Sequence, residues 1–215
     1  MHGKLGNISH ELRVHAPFTF SGTVVGIAIL LVVVYGQVPN KVSHVLFWTA
    51  HPAHVLLSAL VTTAIYRLHG GTKLWATIVV GYVGSIGIAT LSDSVIPFVG
   101  ELLINLPHTH AHIGFIEKWW LVNPLALAGI AIACAWPRTK LPHAGHVFLS
   151  TLASLFHVTM AVGTDLPVLK VLAIAVFLFL AVWVPCCTSD IVFPLVFAKG
   201  KAEAVALHAH RHQTT

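Results

Sequence analysis

A chain of 215 residues that is 56% hydrophobic and only 9% charged, with a mean hydropathy of +0.84, does not compose a soluble globule. Its formal net charge of +5 comes from scattered lysines and arginines that form no basic run, which argues against a nucleic-acid surface. Three cysteines, Cys134, Cys186 and Cys187, fall inside apolar stretches and support no disulfide framework.

Six apolar runs, at about 17–36, 45–66, 75–99, 119–136, 146–164 and 169–198, are long enough to cross a hydrocarbon core. The expected fold class is an all-α integral membrane protein with six transmembrane helices. The polar, basic segment before residue 17 carries no signal-peptide pattern, so the first run is expected to remain as a span. An even number of spans puts both termini on one side. That side would hold Lys4, Arg13, Arg67, Lys73, Arg138, Lys140, Lys199, Lys201 and Arg211, against Lys41, Lys118 and Lys170 on the other. Short loops with this bias place both termini in the cytoplasm of a multi-pass protein of the inner or plasma membrane.

In chain order, HELRVH (10–15) precedes the first span, and the second opens near HPAHVLLSAL (51–60). The third ends near SDSVIPFV (92–99). HTHAHIGFIEKWW (108–120) then approaches the fourth, with Trp119 and Trp120 at headgroup level. The fifth opens near HAGHVFLSTL (143–152), and the sixth ends near SDIVFPLV (189–196). A polar tail containing HAHRHQ (208–213) follows.

Two phrases are therefore spelled twice. HPAHVLLSAL and HAGHVFLSTL agree at six of ten positions, including both histidines and the serine. SDSVIPFV and SDIVFPLV agree at five of eight, as SD-x-V-x-P-x-V. Order and spacing are kept, His51 to Asp93 being 42 residues and His143 to Asp190 being 47. The chain reads as two three-span units, 1–106 and 107–198, followed by a histidine-containing cytoplasmic tail, 199–215. A three-span unit that is duplicated must re-enter the membrane upside down, giving a 3+3 inverted repeat of the kind common in transporters. On this topology His51, His54, Asp93, Glu101, His108, His110, His112 and Glu117 lie toward the outer face. His10, His15, His143, His146 and Asp190 lie toward the cytoplasm.

His-x-x-His on a helix puts both imidazoles on one face. With a carboxylate from a neighbouring helix they make a nitrogen–oxygen donor set suited to zinc, manganese, iron, cobalt or nickel. The expected metal ligands are His51, His54 and Asp93 in one repeat and His143, His146 and Asp190 in the other, with His108, His110 and His112 either collecting cations at the entrance or populating a wet loop. An acid inside a span marks a functional site by default. Four residues after each acid stands a proline, Pro97 or Pro194, which cannot donate to the carbonyl four residues earlier. Each motif is thus expected to break its helix and free the backbone oxygen of Asp93 or Asp190. His157 reads as a relay, a ligand or a hydrogen-bonded core histidine, and the Cys186–Cys187 pair as small buried hydrophobes or a soft-metal element.

The leading expectation is a transporter or permease for a divalent transition-metal cation, coupled to protons because histidine titrates near neutral pH. No nucleotide-binding motif appears in the chain. An integral-membrane metalloenzyme, hydrolase or oxidoreductase, is the alternative. A haem-binding or accessory subunit of a membrane complex is the third. Expected partners are the lipid bilayer, the metal ion and protons; a homodimer is compatible with so small a six-span protein.

Overall fold

The computed structural model describes residues 2–137, 140–163, 166–187 and 193–198, with side chains described for 16–137, 145–163, 166–186, 193–194 and 197–198. All regular structure among them is helical. α1 spans His2–Tyr35, α2 Asn40–Leu68, α3 Leu74–Thr90, α4 Ile96–Leu103, α5 Gly114–Glu117, α6 Trp119–Ala135, α7 Lys140–Ala161, α8 Val168–Cys187 and α9 Phe193–Phe197. A π-helical turn, Leu91–Val95, joins α3 to α4, so that Leu74–Leu103 runs as one rod.

Among the described residues, four segments are long and apolar enough to cross a membrane: Ala16–Tyr35, Asn40–Leu68, Leu74–Leu103 and Val168–Cys186. Trp119–Ala135 and Gly145–Ala161 are apolar but shorter. Each of the six apolar runs of the sequence thus has a described helix within it, and four of these helices have full spanning length. The sixth run, expected as one span over 169–198, contains two helices, α8 and α9.

α2 is the hub. It packs along α7, α6 and α3, while α1 packs on α8 and α7, and α3 on α6. Its sequence explains the position: Ala50, Ser58, Ala59, Thr62, Thr63 and Ala64 keep its surface small, which lets neighbours approach in a medium where packing rather than hydrophobicity drives association. One such close approach is to α6 at Gly129. A Cβ there would overlap the Leu56 carbonyl and lie 2.9 Å from the Ala59 Cβ. Gly129→Ala should therefore force α2 and α6 apart and cost about 1–3 kcal/mol, read as a lower midpoint of thermal or denaturant unfolding in detergent.

Two apolar cores flank the hub. Leu30, Leu155, Val158, Ile174 and Leu178 join α1, α7 and α8. Val55, Ile86, Ala89, Val122 and Ala126 join α2, α3 and α6. Outward-facing Phe20, Val32, Trp75, Leu169 and Leu172 are more than half exposed, which suits contact with lipid. At one end the loop after α4 turns at Asn105, whose φ of 52° ends the helix. It is pinned by Lys170 Nζ donating to the Asn105 carbonyl at 2.9 Å and by His108 N–H donating to the Ala161 carbonyl at 3.2 Å.

Candidate metal centre

Asp93 sits in the π turn and is fully buried. His51 and His54, one helical turn apart on α2, both reach the same carboxylate oxygen: Nδ1 of His51 lies 2.9 Å and Nδ1 of His54 2.7 Å from Oδ2. The other oxygen, Oδ1, accepts from Ser92 Oγ at 2.6 Å and from Ser150 Oγ of α7 at 3.1 Å. Four contacts fill the four acceptor positions of an ionised carboxylate. Such a group only accepts, so both rings present Nδ1–H to it, and each ring in its neutral form keeps its Nε2 lone pair. Both Nε2 atoms are buried without a hydrogen-bond partner.

The π turn aims this carboxylate. The Ile96 N–H donates to Leu91, five residues back, in place of the usual four. In that register the next donor would serve the Ser92 carbonyl, but it is Pro97, which has no N–H. Ser154 Oγ of α7 supplies the missing bond at 2.8 Å. The sequence expectation named the Asp93 carbonyl as the oxygen freed by Pro97. In the π register the Ser92 carbonyl also lacks its backbone donor, because one extra residue is accommodated in the turn. Ser154→Ala would leave this carbonyl unpaired in an apolar interior and should cost about 1–3 kcal/mol, whereas Ser154→Thr should retain most of the stability; thermal unfolding of the purified variants measures both.

The two His-x-x-His phrases meet. His54 of α2 and His146 of α7, at matching positions of the repeated phrase, stack with ring centroids 5.1 Å apart and planes 22° apart. Cys186 of α8 joins them: potential ligand atoms of His54, His146 and Cys186 all lie within 4.8 Å of one another, and all three residues are buried. The sorting of histidines to opposite faces therefore does not extend to these two. Each lies one turn deeper than the first histidine of its phrase, at the crossing of α2 and α7. The His143 side chain and Asp190 lie outside the described residues. Pro194 stands in the first turn of α9, where a missing N–H costs no helical bond.

A second buried pair was not singled out as such by sequence reasoning. His157 of α7 and Glu101 of α4 meet through Nδ1 and Oε1 at 2.7 Å, each 1% exposed. Glu101 Oε2 and His157 Nε2 have no hydrogen-bond partner. The available signal was an acid near the end of an apolar run together with a lone mid-span histidine.

Phe47 separates the two groups. Its ring stacks on His51 at 5.5 Å and stands edge-on to His157 at 5.5 Å. Above it His112 lies 5.5 Å from His157 and 4.7 Å from His110, measured between ring centroids. His112 pairs with Glu117 at 3.1 Å, and its carbonyl accepts from Ser94 Oγ. Partial burial holds the His112 imidazole below its ordinary pKa, against the opposing pull of Glu117. His108 and His110 remain exposed on the loop. Gly114 closes the loop over His51; a Cβ at this position would overlap the His51 Nε2.

No family model, no curated protein and no solved structure matches this chain.

Proposed function

We propose that the protein is a permease for a divalent transition-metal cation, exchanged against protons across a cytoplasmic or plasma membrane, with its cation site at the crossing of α2 and α7. The observation that carries this reading is the meeting of His54 and His146, equivalent residues of a repeated phrase, in a buried centre where His54 is oriented by Asp93. A carboxylate on the Nδ1–H of a histidine fixes the tautomer that leaves Nε2 free for metal.

The pattern of helix packing supports six spans in a 3+3 inverted repeat. Exchanging α1 with α6, α2 with α7, α3 with α8 and α4 with α9 converts α2–α6 into α7–α1, α2–α3 into α7–α8, α3–α6 into α8–α1, and α4–α7 into α9–α2; each of these pairs is in contact. α2 and α7 pack on each other, as elements beside a pseudo-two-fold axis must. Ser58 and Ser150 are likewise equivalent positions, and Ser150 already serves Asp93. The excess of lysine and arginine on one side favours cytoplasmic termini.

A membrane metalloenzyme gains from the same compactness, since histidines of both halves contribute to one centre. Enclosure favours the permease: His51, His54, His146, Ser150 and Asp93 are at most 1% exposed, as an occluded carrier requires and a water-fed catalyst does not.

Uptake of zinc, manganese, iron, cobalt and nickel ions into proteoliposomes under a pH gradient tests the reading. Saturable, gradient-dependent uptake of at least one ion, lost in His54→Ala and His146→Ala, is expected. Uptake equal to that of protein-free vesicles for every ion would reject it.

A further inference from the structure

We infer that the third metal donor is the Cys186 thiolate and that Asp93 is a positioning residue, so that the cargo is a thiophilic divalent cation of the zinc(II) or cobalt(II) class rather than manganese(II) or magnesium(II). The inference rests on the permease reading and narrows its substrate.

Asp93 has no acceptor position to spare. Two imidazole N–H groups occupy Oδ2 and two serine hydroxyls occupy Oδ1. Ligation through this carboxylate would break at least one charge-assisted bond in a buried place, where the released donor has no water to turn to. Cys186 reaches the centre from α8, a helix that carries neither histidine, and groups with His54 and His146 within 4.8 Å. Donors around a tetrahedral zinc lie about 3.5 Å apart, given bond lengths of about 2.1 Å to nitrogen and 2.3 Å to sulfur. The centre therefore needs to tighten by about 1 Å, within the reach of side-chain rotation. His54 contributes its Nε2, which is buried and unpartnered because Asp93 occupies the other ring nitrogen.

The exchange of a carboxylate for a thiolate changes the class of ion. Carboxylate oxygens suit manganese and magnesium, whereas two imidazoles with a thiolate suit zinc(II) and cobalt(II). On binding, the sulfur–hydrogen bond breaks, a metal–sulfur bond forms, and the proton leaves to solvent with no change of oxidation state. Three protein donors leave the fourth tetrahedral position open, which suits a site that must release its ion.

Cobalt(II) titration of the purified protein in detergent or nanodiscs tests this through absorption. Bound cobalt should give visible d–d bands and a near-ultraviolet sulfur-to-cobalt charge-transfer band. Cys186→Ser should abolish the charge-transfer band and weaken cobalt binding at least tenfold, while Cys187→Ser and Asp93→Asn should keep the band. A hundredfold excess of manganese(II) should leave the spectrum unchanged, and equimolar zinc(II) should erase it. Cobalt bound with d–d bands but no sulfur band, or a band that survives in Cys186→Ser, would overturn the inference and leave the permease reading standing. Displacement by equimolar manganese would overturn it in the same way. If the wild-type protein binds neither cobalt nor zinc, the cation site itself is wrong and both readings fall together.

Discussion

Asp93→Asn should weaken metal binding by about ten- to a hundredfold, the usual consequence of losing an outer carboxylate partner of a ligating histidine. The carboxylate faces four donors at once: His51, His54, Ser92 and Ser150. An amide meets this environment in either of two orientations. With its nitrogen toward the imidazoles, both rings must carry the proton on Nε2, which removes the lone pair that binds metal. With its oxygen toward them, the tautomers survive, but the acceptor is neutral and both serine hydroxyls must reverse direction. Either way the imidazoles lose basicity and orientation. Ser150→Ala removes one hydroxyl from Oδ1 and should cost less, about tenfold or under, by the same reasoning about outer partners. Competition against a chromophoric chelator measures both affinities in detergent. An unchanged affinity in Asp93→Asn would show that this carboxylate plays no part in holding the ion.

The sequence placed His51 and His54 opposite Asp93 because two periodicities agree there. The i, i+3 spacing fixes both rings on one helix face, and an acid inside an apolar run has few neighbours able to satisfy it. The meeting of His54 with His146 was also within reach, since equivalent residues of the repeated phrase would approach each other beside the axis of the proposed inverted repeat. It was missed because histidines were sorted by the face on which their phrase begins, and a single turn of helix moves the second member of each pair inward. The π turn was harder to read. Pro97 announces a break, yet which carbonyl loses its donor depends on whether one extra residue is taken up. That is decided by tertiary partners such as Ser154 rather than by local sequence. Cys186 reads from sequence as a small hydrophobe or a soft-metal element, and the choice is not local, because its neighbourhood is built by α2 and α7, far away in the chain. The lengths of α6 and the described part of α7, both short of full spanning length, were not legible either: apolar runs continue through the turns that end these helices.

Glu101→Ala should be among the most destabilising single substitutions in the chain, costing about 3–5 kcal/mol, because it leaves a buried imidazole without the carboxylate that holds it. Both side chains are 1% exposed and meet at 2.7 Å, with no described alternative partner for the His157 Nδ1. His157→Ala strands the Glu101 carboxylate in the same way and should cost a similar amount. The double substitution Glu101→Leu with His157→Phe is the informative one. It removes both polar groups together and restores apolar volume, and exchanges of this kind are often neutral or stabilising for buried ion pairs. If the pair only fastens α4 to α7, the double variant should unfold near the wild-type midpoint and still take up metal. If the pair serves ion passage below the histidine loop, the same variant should remain stable and lose uptake. Stability and transport thus separate in one protein. Phe47 packs between His157 and His51, so the same ring borders both buried polar groups, and uptake by the double variant decides between the two outcomes.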